Sequence, residues 1–302
     1  MVSRKMGAMI KRVLAAIVMI PIAIVTLYIG SPYVEVLAIT VGGLLAWEWA
    51  NMLAPTNKTS HYVTAYMMSL AIAIWAYNFE IILPMIFIIS LIVWGLAEKE
   101  KFRKLLTLGV PYISIGVASL IWMYRSFDPS EGNFDPRFNY SFIMMAWFFL
   151  MVWSMDIGGL VVGCNLRGPK LAPKISPNKT WSGLIGGILL AVSVSIIFMY
   201  FCTEIMEIPF YDFSKFRYIS FSYKPLELQY EWNVDNQLFY ATLAVFIAIL
   251  AQIGDLIESA IKRLAGVKDS SRLIPGHGGI FDRIDGLIFA SAFMYLFFIY
   301  IL

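Results

Sequence analysis

The chain has 302 residues, of which 60% are hydrophobic and 14% charged, and a net charge of +3. That length would suit one large or two small soluble domains, but so apolar a composition does not suit a water-exposed surface. The expected class is an all-α, polytopic integral membrane protein.

A spanning helix needs about 20 mostly apolar residues, and such runs recur between short polar breaks. Nine transmembrane helices are predicted in chain order, over residues 13–30, 34–53, 62–78, 81–97, 106–124, 141–164, 183–202, 237–258 and 285–302. Only Asn78 and Glu80 clearly separate the third run from the fourth. The basic start before the first run also suits a secretory signal. No small-x-small cleavage site follows closely and more spans come after, so the first helix is read as retained.

Lys and Arg set orientation by staying in the cytoplasm. With the N-terminus inside, the inner segments carry Arg4, Lys5, Lys11, Arg12, Lys58, Lys99, Lys101, Arg103, Lys104, Arg167, Lys170, Lys174, Lys179, Lys262, Arg263, Lys268, Arg272 and Arg283. Only five of the 23 basic residues, Arg125, Arg137, Lys215, Arg217 and Lys224, fall outside. This asymmetry predicts a cytoplasmic N-terminus. It also sends Cys164 and Cys202 to opposite faces, so no disulfide is expected between them.

The first five spans carry few polar residues at depth and read as scaffold or subunit contact, a homodimer being the assembly this allows. Glu48 in "AWEWANM" is the exception. Trp47 and Trp49 beside it suggest an interfacial belt, where a glutamate costs little. The aromatic segment 203–236 reads as a cap at the outer interface. The loops 165–182 and 262–285 combine Gly, Pro and basic residues on the cytoplasmic face, where chemistry on a soluble substrate would sit.

Carboxylates within or at the ends of apolar spans are costly, about 2.5–3.5 kcal/mol each at the bilayer centre, and so are functional candidates. Asp156 lies inside the sixth span. Asp255 and Glu258 close the eighth, and Asp282 and Asp285 open the ninth. Helical spacing puts Asp255, Ser259 and Lys262 on one face and Asp282 with Asp285 on another. Their hard oxygen donors suit Mg²⁺, which takes one or two carboxylates and completes its shell with water and phosphate. For either Asp282 or Asp285 alone, a helix N-cap or first-turn charge is an equal reading.

The basic side is as dense. Lys262, Arg263, Lys268, Arg272, His277 and Arg283 are interleaved with Gly266, Gly276, Gly278 and Gly279. Glycines permit close backbone approach and free N–H groups, and the loop ends at a helix N-terminus, which favours anions. Carboxylates for a metal beside cations for phosphate compose a phosphoryl or nucleotidyl transfer site. In the other loop, Lys174, Ser176, Asn178, Lys179 and Thr180 form a plausible second wall for a triphosphate, with Thr180 placed to cap the seventh span. It is not a Walker A loop.

The run "SAIKRLAGVKDSSRLIPGHGGIFDRID", Ser259–Asp285, resembles the complete signature of the phosphatidate cytidylyltransferases. The segment from Asp156 to Gly183 is similar to that family's second shared region, although the family often has alanine where Gly159 stands and glutamate where Ser182 stands. The resemblance implies transfer of cytidylate from CTP to phosphatidate, giving CDP-diacylglycerol and pyrophosphate, with Mg²⁺ and a second cation as an open alternative. It implies metal binding by Asp255, Asp282 and Asp285, supported by Asp156 and Glu258. Lys262, Arg263, Lys268, His277 and Arg283 are the expected catalytic phosphate-holding groups. Lys174, Ser176, Asn178, Lys179, Thr180, Ser259, Arg272, Gly278 and Gly279 are expected to bind substrate.

Residues 1–140 are then expected to form a membrane scaffold and 141–302 the catalytic region, in the cell inner (cytoplasmic) membrane with the site facing the cytoplasm. The partners are CTP, phosphatidate and the bilayer, with no nucleic acid. Rival readings are a CTP-dependent transferase acting on an isoprenoid or ether lipid, and an ion-coupled transporter. The full signature argues against the first. A transporter predicts midplane charges and inverted repeats, whereas the acidic residues here crowd toward one face.

Overall fold

A computed structural model of the chain describes residues 21–55, 58–76, 79–127, 139–206, 234–274 and 278–300. In a bilayer each backbone N–H and C=O must be satisfied within the segment, so apolar runs of this length become helices. Residues 21–29 are helical. The chain continues as α1 (Tyr33–Leu53), α2 (Thr59–Ala76), α3 (Phe79–Leu96), α4 (Arg103–Ser126), α5 (Tyr140–Leu166), α6 (Trp181–Tyr200), α7 (Val234–Ala265) and α8 (Phe281–Tyr300). A π-helical turn, Phe201–Ile205, extends α6.

Among the described residues, five helical stretches are long and apolar enough to cross a membrane: Tyr33–Leu53, Arg103–Ser126, Tyr140–Leu166, Trp181–Ile205 and Gln237–Ala265. Leu160, Leu189 and Phe246 stand exposed on them. The protein is an all-α, multi-pass integral membrane protein. The third and fourth expected runs are separate helices, α2 and α3. The basic N-terminal residues 1–20 and the aromatic segment over 207–233 lie outside the described residues. Cys164 and Cys202 are both free thiols.

The 165–182 loop departs from expectation by folding as a hairpin. β1 (Lys170–Ala172) pairs antiparallel with β2 (Ser176–Thr180), Lys170 opposite Thr180 and Ala172 opposite Ser176, with an irregularity between them.

The chain packs as two compact units, Met1–Trp122 with Ile257–Ala292, and Met123–Leu256 with Phe293–Leu302. In the first, side chains tie helices to neighbouring backbones: Trp49 Nε1 donates to the Leu105 carbonyl at 3.1 Å, and Tyr66 Oη to that of Leu106 at 2.8 Å. α8 lies against α4 at Gly116, where an added Cβ would collide with Ile288 and whose carbonyl accepts from Ser291 Oγ at 2.8 Å. This contact positions the first turn of α8.

In the second unit, α5 and α6 meet along glycines, as small residues allow in membranes. A Cβ on Gly158 would lie 2.8 Å from the Gly186 carbonyl oxygen and from Gly187 Cα, and one on Gly183 2.7 Å from the Gly159 carbonyl oxygen. Beyond the seam, Trp147 Nε1 donates to Ser195 Oγ at 2.9 Å, and Ser195 Oγ donates to the Tyr240 carbonyl at 3.3 Å. Gly159 differs from its neighbours, because a Cβ there meets nothing closer than 3.7 Å. Gly159→Ala is therefore expected to leave the thermal midpoint in detergent unchanged. Gly158→Ala should lower stability by about 1–3 kcal/mol through overpacking. Equal midpoints for the two variants would refute the seam.

Candidate active site

The 266–280 loop joins α7 to α8 within the first unit, and two carboxylates, Asp282 and Glu48, accept hydrogen bonds from it. Asp282, in the first turn of α8, turns Oδ2 back onto the loop. That oxygen accepts from Ser270 N at 2.9 Å, Ser270 Oγ at 2.9 Å and Gly279 N at 2.8 Å. Its Oδ1 accepts from Lys262 Nζ, which also forms an ion pair with Glu258 one turn earlier on α7. Lys262 is thus held between two carboxylates, itself only 8% exposed.

Glu258 and Asp285 bring carboxylate oxygens within 4.8 Å of each other. Glu258 is buried, and Lys262 is the cation paired with it. Glu258 and Asp282 therefore share the Lys262 ammonium, with the carboxylate of Asp285 beside Glu258. An all-oxygen donor set with surplus negative charge fits a hard divalent cation.

Glu48 is the second carboxylate on the loop. It comes from α1 and is fully buried. Oε1 accepts from Ser271 Oγ at 2.6 Å and Ile280 N at 2.9 Å, while Oε2 accepts from Ser270 Oγ at 3.0 Å and Phe281 N at 2.8 Å. The expectation of a solvated glutamate in an interfacial belt is corrected. Its neighbour Trp49 is also buried, stacked on Tyr112 at 5.3 Å and edge-on to Phe281 at 5.5 Å.

The two loop glycines now have a steric reason. Gly278 has φ +87°, and a Cβ there would lie 2.6 Å from Asp282 Oδ2. A Cβ on Gly279 would collide with Ser270 Oγ and both oxygens of Glu48. The N–H groups expected to be free for a substrate anion are engaged: Gly279 donates to Asp282, and Ile280 and Phe281 donate to Glu48.

Within the second unit, Lys179, at the end of the hairpin, forms an ion pair through Nζ with Asp255 Oδ2. Asp255 stands one turn before Glu258 on the continuous helix α7. Thr180 caps α6 as expected, its Oγ1 accepting from Gly183 N at 3.1 Å. Ser182 Oγ donates to the Arg167 carbonyl, fastening the first turn of α6 to the end of α5. Lys174 and Asn178 are exposed on the hairpin, and Ser176 opens β2 half-buried.

A model of the cytidylyltransferase family matches residues 10–301. The chain is similar to the phosphatidate cytidylyltransferase of Haemophilus influenzae, at 30% identity covering 97% of this chain and 99% of that one. It is 32% identical to the phosphatidate cytidylyltransferase of Brucella suis over 95% of this chain and 92% of that one. The Rickettsia felis protein of the same name is 30% identical over 72% of this chain and 83% of its own. The chain belongs to the cytidylyltransferase family.

In this cytidylyltransferase the remaining candidates are spread over the surface of the two loops and helices. Arg263, Lys268, Arg272 and Arg283 are exposed, Arg263 donating from Nη1 to the Val267 carbonyl at 3.3 Å, and Ser259 is half-buried on α7. Asp156 is exposed on α5. His277 lies outside the described residues.

Sequence reasoning about this cytidylyltransferase passes over Ser270, Ser271 and the role of Glu48. The signal for the serines is present in "KDSSR", two hydroxyls beside a carboxylate-rich turn. For Glu48 it is a carboxylate set in the apolar second half of α1, well past Glu35 in the first turn.

Proposed function

We propose that the protein is a Mg²⁺-dependent phosphatidate cytidylyltransferase with its site on the cytoplasmic face of the bacterial inner membrane. One observation carries the reading: in a member of this family, the stretch Ser259–Asp285 folds around paired carboxylates and a single buried ammonium, Lys262.

Nine spans with a cytoplasmic N-terminus remain the topology that the distribution of Lys and Arg supports. The division into a 1–140 scaffold and a 141–302 catalytic region is retained, with Glu48 supplied by the scaffold. A homodimer is the assembly proposed.

An oxygen of the phosphatidate phosphate attacks the α-phosphorus of CTP. The new P–O bond forms as the bond from the α-phosphorus to the bridging oxygen breaks, and pyrophosphate leaves with that electron pair. The attacking oxygen is already anionic near neutral pH, so positioning and charge neutralisation dominate. Lewis-acid neutralisation of the triphosphate is the chemistry Mg²⁺ would supply when bound; Glu258, Asp282 and Asp285 would hold it, and Asp255 keeps the metal role that the family resemblance implies. Asp156 and a second cation belong to the same proposal in a supporting place.

Lys262 Nζ has three N–H groups; two face Glu258 and Asp282, and the third serves a phosphate oxygen. Arg263, Lys268, Arg272, His277 and Arg283 offer further cations to the phosphates. Lys179, oriented by Asp255, serves the triphosphate with Lys174, Ser176, Asn178 and Thr180. The acyl chains stay in the bilayer while CTP arrives from water, which places the chemistry at the membrane edge.

The test is conversion of labelled CTP by the purified protein with phosphatidate, with an isoprenoid alcohol phosphate, or with an ether lipid phosphate. Lipid-soluble CDP-diacylglycerol is expected from phosphatidate alone, lost on chelation and restored by Mg²⁺. Asp285→Asn should reduce the rate on the order of 100-fold or more, as removal of a metal-held charge worth several kcal/mol implies. Product from the isoprenoid acceptor alone would move the assignment to the rival substrate class, and a fully active Asp285→Asn would remove Asp285 from the cation.

A further inference from the structure

We propose that Glu48, contributed by α1 in the scaffold region, is a positioning residue for the reaction, anchoring the 266–280 loop and the start of α8 so that Asp282 and Asp285 are held in register. The inference rests on the cytidylyl transfer proposed above and adds to it a residue more than 200 positions away in sequence from the loop it holds.

Burying a carboxylate is expensive unless its lone pairs are used. Glu48 uses them fully, with two donors on each oxygen. Two of the donors, Ile280 N and Phe281 N, belong to the N-terminal end of α8, where the helix dipole favours an anion. Phe281 immediately precedes Asp282, and Asp285 follows one turn later, so fixing these two amides fixes the rotational phase of both aspartates. The other two donors are the hydroxyls of Ser270 and Ser271 in the loop itself.

Ser270 carries the argument further. Its single hydroxyl lies 3.0 Å from Glu48 Oε2 and 2.9 Å from Asp282 Oδ2. One proton bridges two carboxylates, so the position of Glu48 is felt directly at Asp282. Gly279 shows that the approach is built in, since any side chain there would separate Glu48 from Ser270. The packing of Trp49, Tyr112 and Phe281, with ring centroids 5.3 to 5.9 Å apart, keeps the adjacent turn of α1 against α8.

The experiment compares wild type, Glu48→Gln, Glu48→Asp and Ser271→Ala as full-length protein in detergent. It measures kcat per folded enzyme, the Mg²⁺ concentration for half activity, and hydrogen exchange at the Ile280 and Phe281 amides. Glutamine keeps the volume but turns an NH₂ toward donors. Loss of such a supporting partner typically costs about 10–100-fold in activity or metal affinity. Glu48→Gln should show that loss in kcat and in half-saturating Mg²⁺, with faster exchange at both amides. Glu48→Asp should restore part of each, and Ser271→Ala should shift all three modestly in the same direction.

A purely structural role would lower the yield of folded protein and leave kcat and the Mg²⁺ requirement at wild-type values; that result overturns the proposal, as does unchanged exchange. Where Glu48→Gln does not fold, Ser271→Ala decides by the same readouts. A wild type that makes no CDP-diacylglycerol would sink the proposed activity, while the exchange pattern still decides whether Glu48 is the anchor.

Discussion

Lys262→Met is expected to abolish measurable cytidylyl transfer and to lower stability by about 3–5 kcal/mol, the usual result of removing one member of a buried ion pair. The size follows from the arrangement. Among the described residues, Lys262 is the ammonium paired with both Glu258 and Asp282, whose side chains are 1% and 6% exposed. Methionine fills the space but supplies no charge, so two carboxylates face each other without a cation. Catalysis loses the third N–H aimed at phosphate as well, and groups that stabilise developing charge in such sites contribute about 100- to 1,000-fold each. Thermal unfolding in detergent reads the first effect and CDP-diacylglycerol formation the second. The double variant Lys262→Met with Glu258→Gln separates them, because removing one orphaned charge should recover part of the midpoint and none of the rate. A single variant that melts with wild type would show that the pair is not the structural centre proposed.

Much of this arrangement was legible in the sequence, for reasons that also explain what was not. Apolar run length is enough to predict helices in a bilayer, and Thr180 caps α6 as its position before a helix implies. Helical spacing grouped Lys262 with Asp255 and Ser259, whereas its ion pair on α7 is with Glu258, four residues earlier. The hairpin over 170–180 was hidden because Pro173 and Pro177 argue against strands and each strand is too short to show alternation.

Glu48 was misjudged for a different reason. A tryptophan-flanked glutamate at a membrane interface and one buried under a distant loop have the same local sequence. What distinguishes them is the set of donors from Ser270 to Phe281, which no window around α1 contains. The glycines were recognised but assigned to substrate. Their N–H groups and missing Cβ atoms accommodate the protein's own carboxylates, which is a tertiary fact.

Asp282→Asn carries the second large effect, and it separates loop order from cation binding. Asp282 Oδ2 accepts three hydrogen bonds from the loop while Oδ1 accepts from Lys262. An asparagine can satisfy only one side. With its carbonyl toward the loop, its NH₂ meets the Lys262 ammonium; with its NH₂ toward the loop, it meets the N–H groups of Ser270 and Gly279. Each orientation leaves donor against donor, and hydrogen bonds to charged groups contribute about 1.5–3 kcal/mol apiece. The expected result is a lowered thermal midpoint, protease sensitivity within 266–280, and a rate reduced by about 1,000-fold or more as Lys262 and the loop lose their common partner. Asp285→Asn should lose rate with a smaller change in midpoint, since the amides of Ser270 and Gly279 donate to Asp282. Equal loss of stability in the two variants would mean that both aspartates hold the fold, and the division of labour between loop anchor and cation ligand would have to be abandoned.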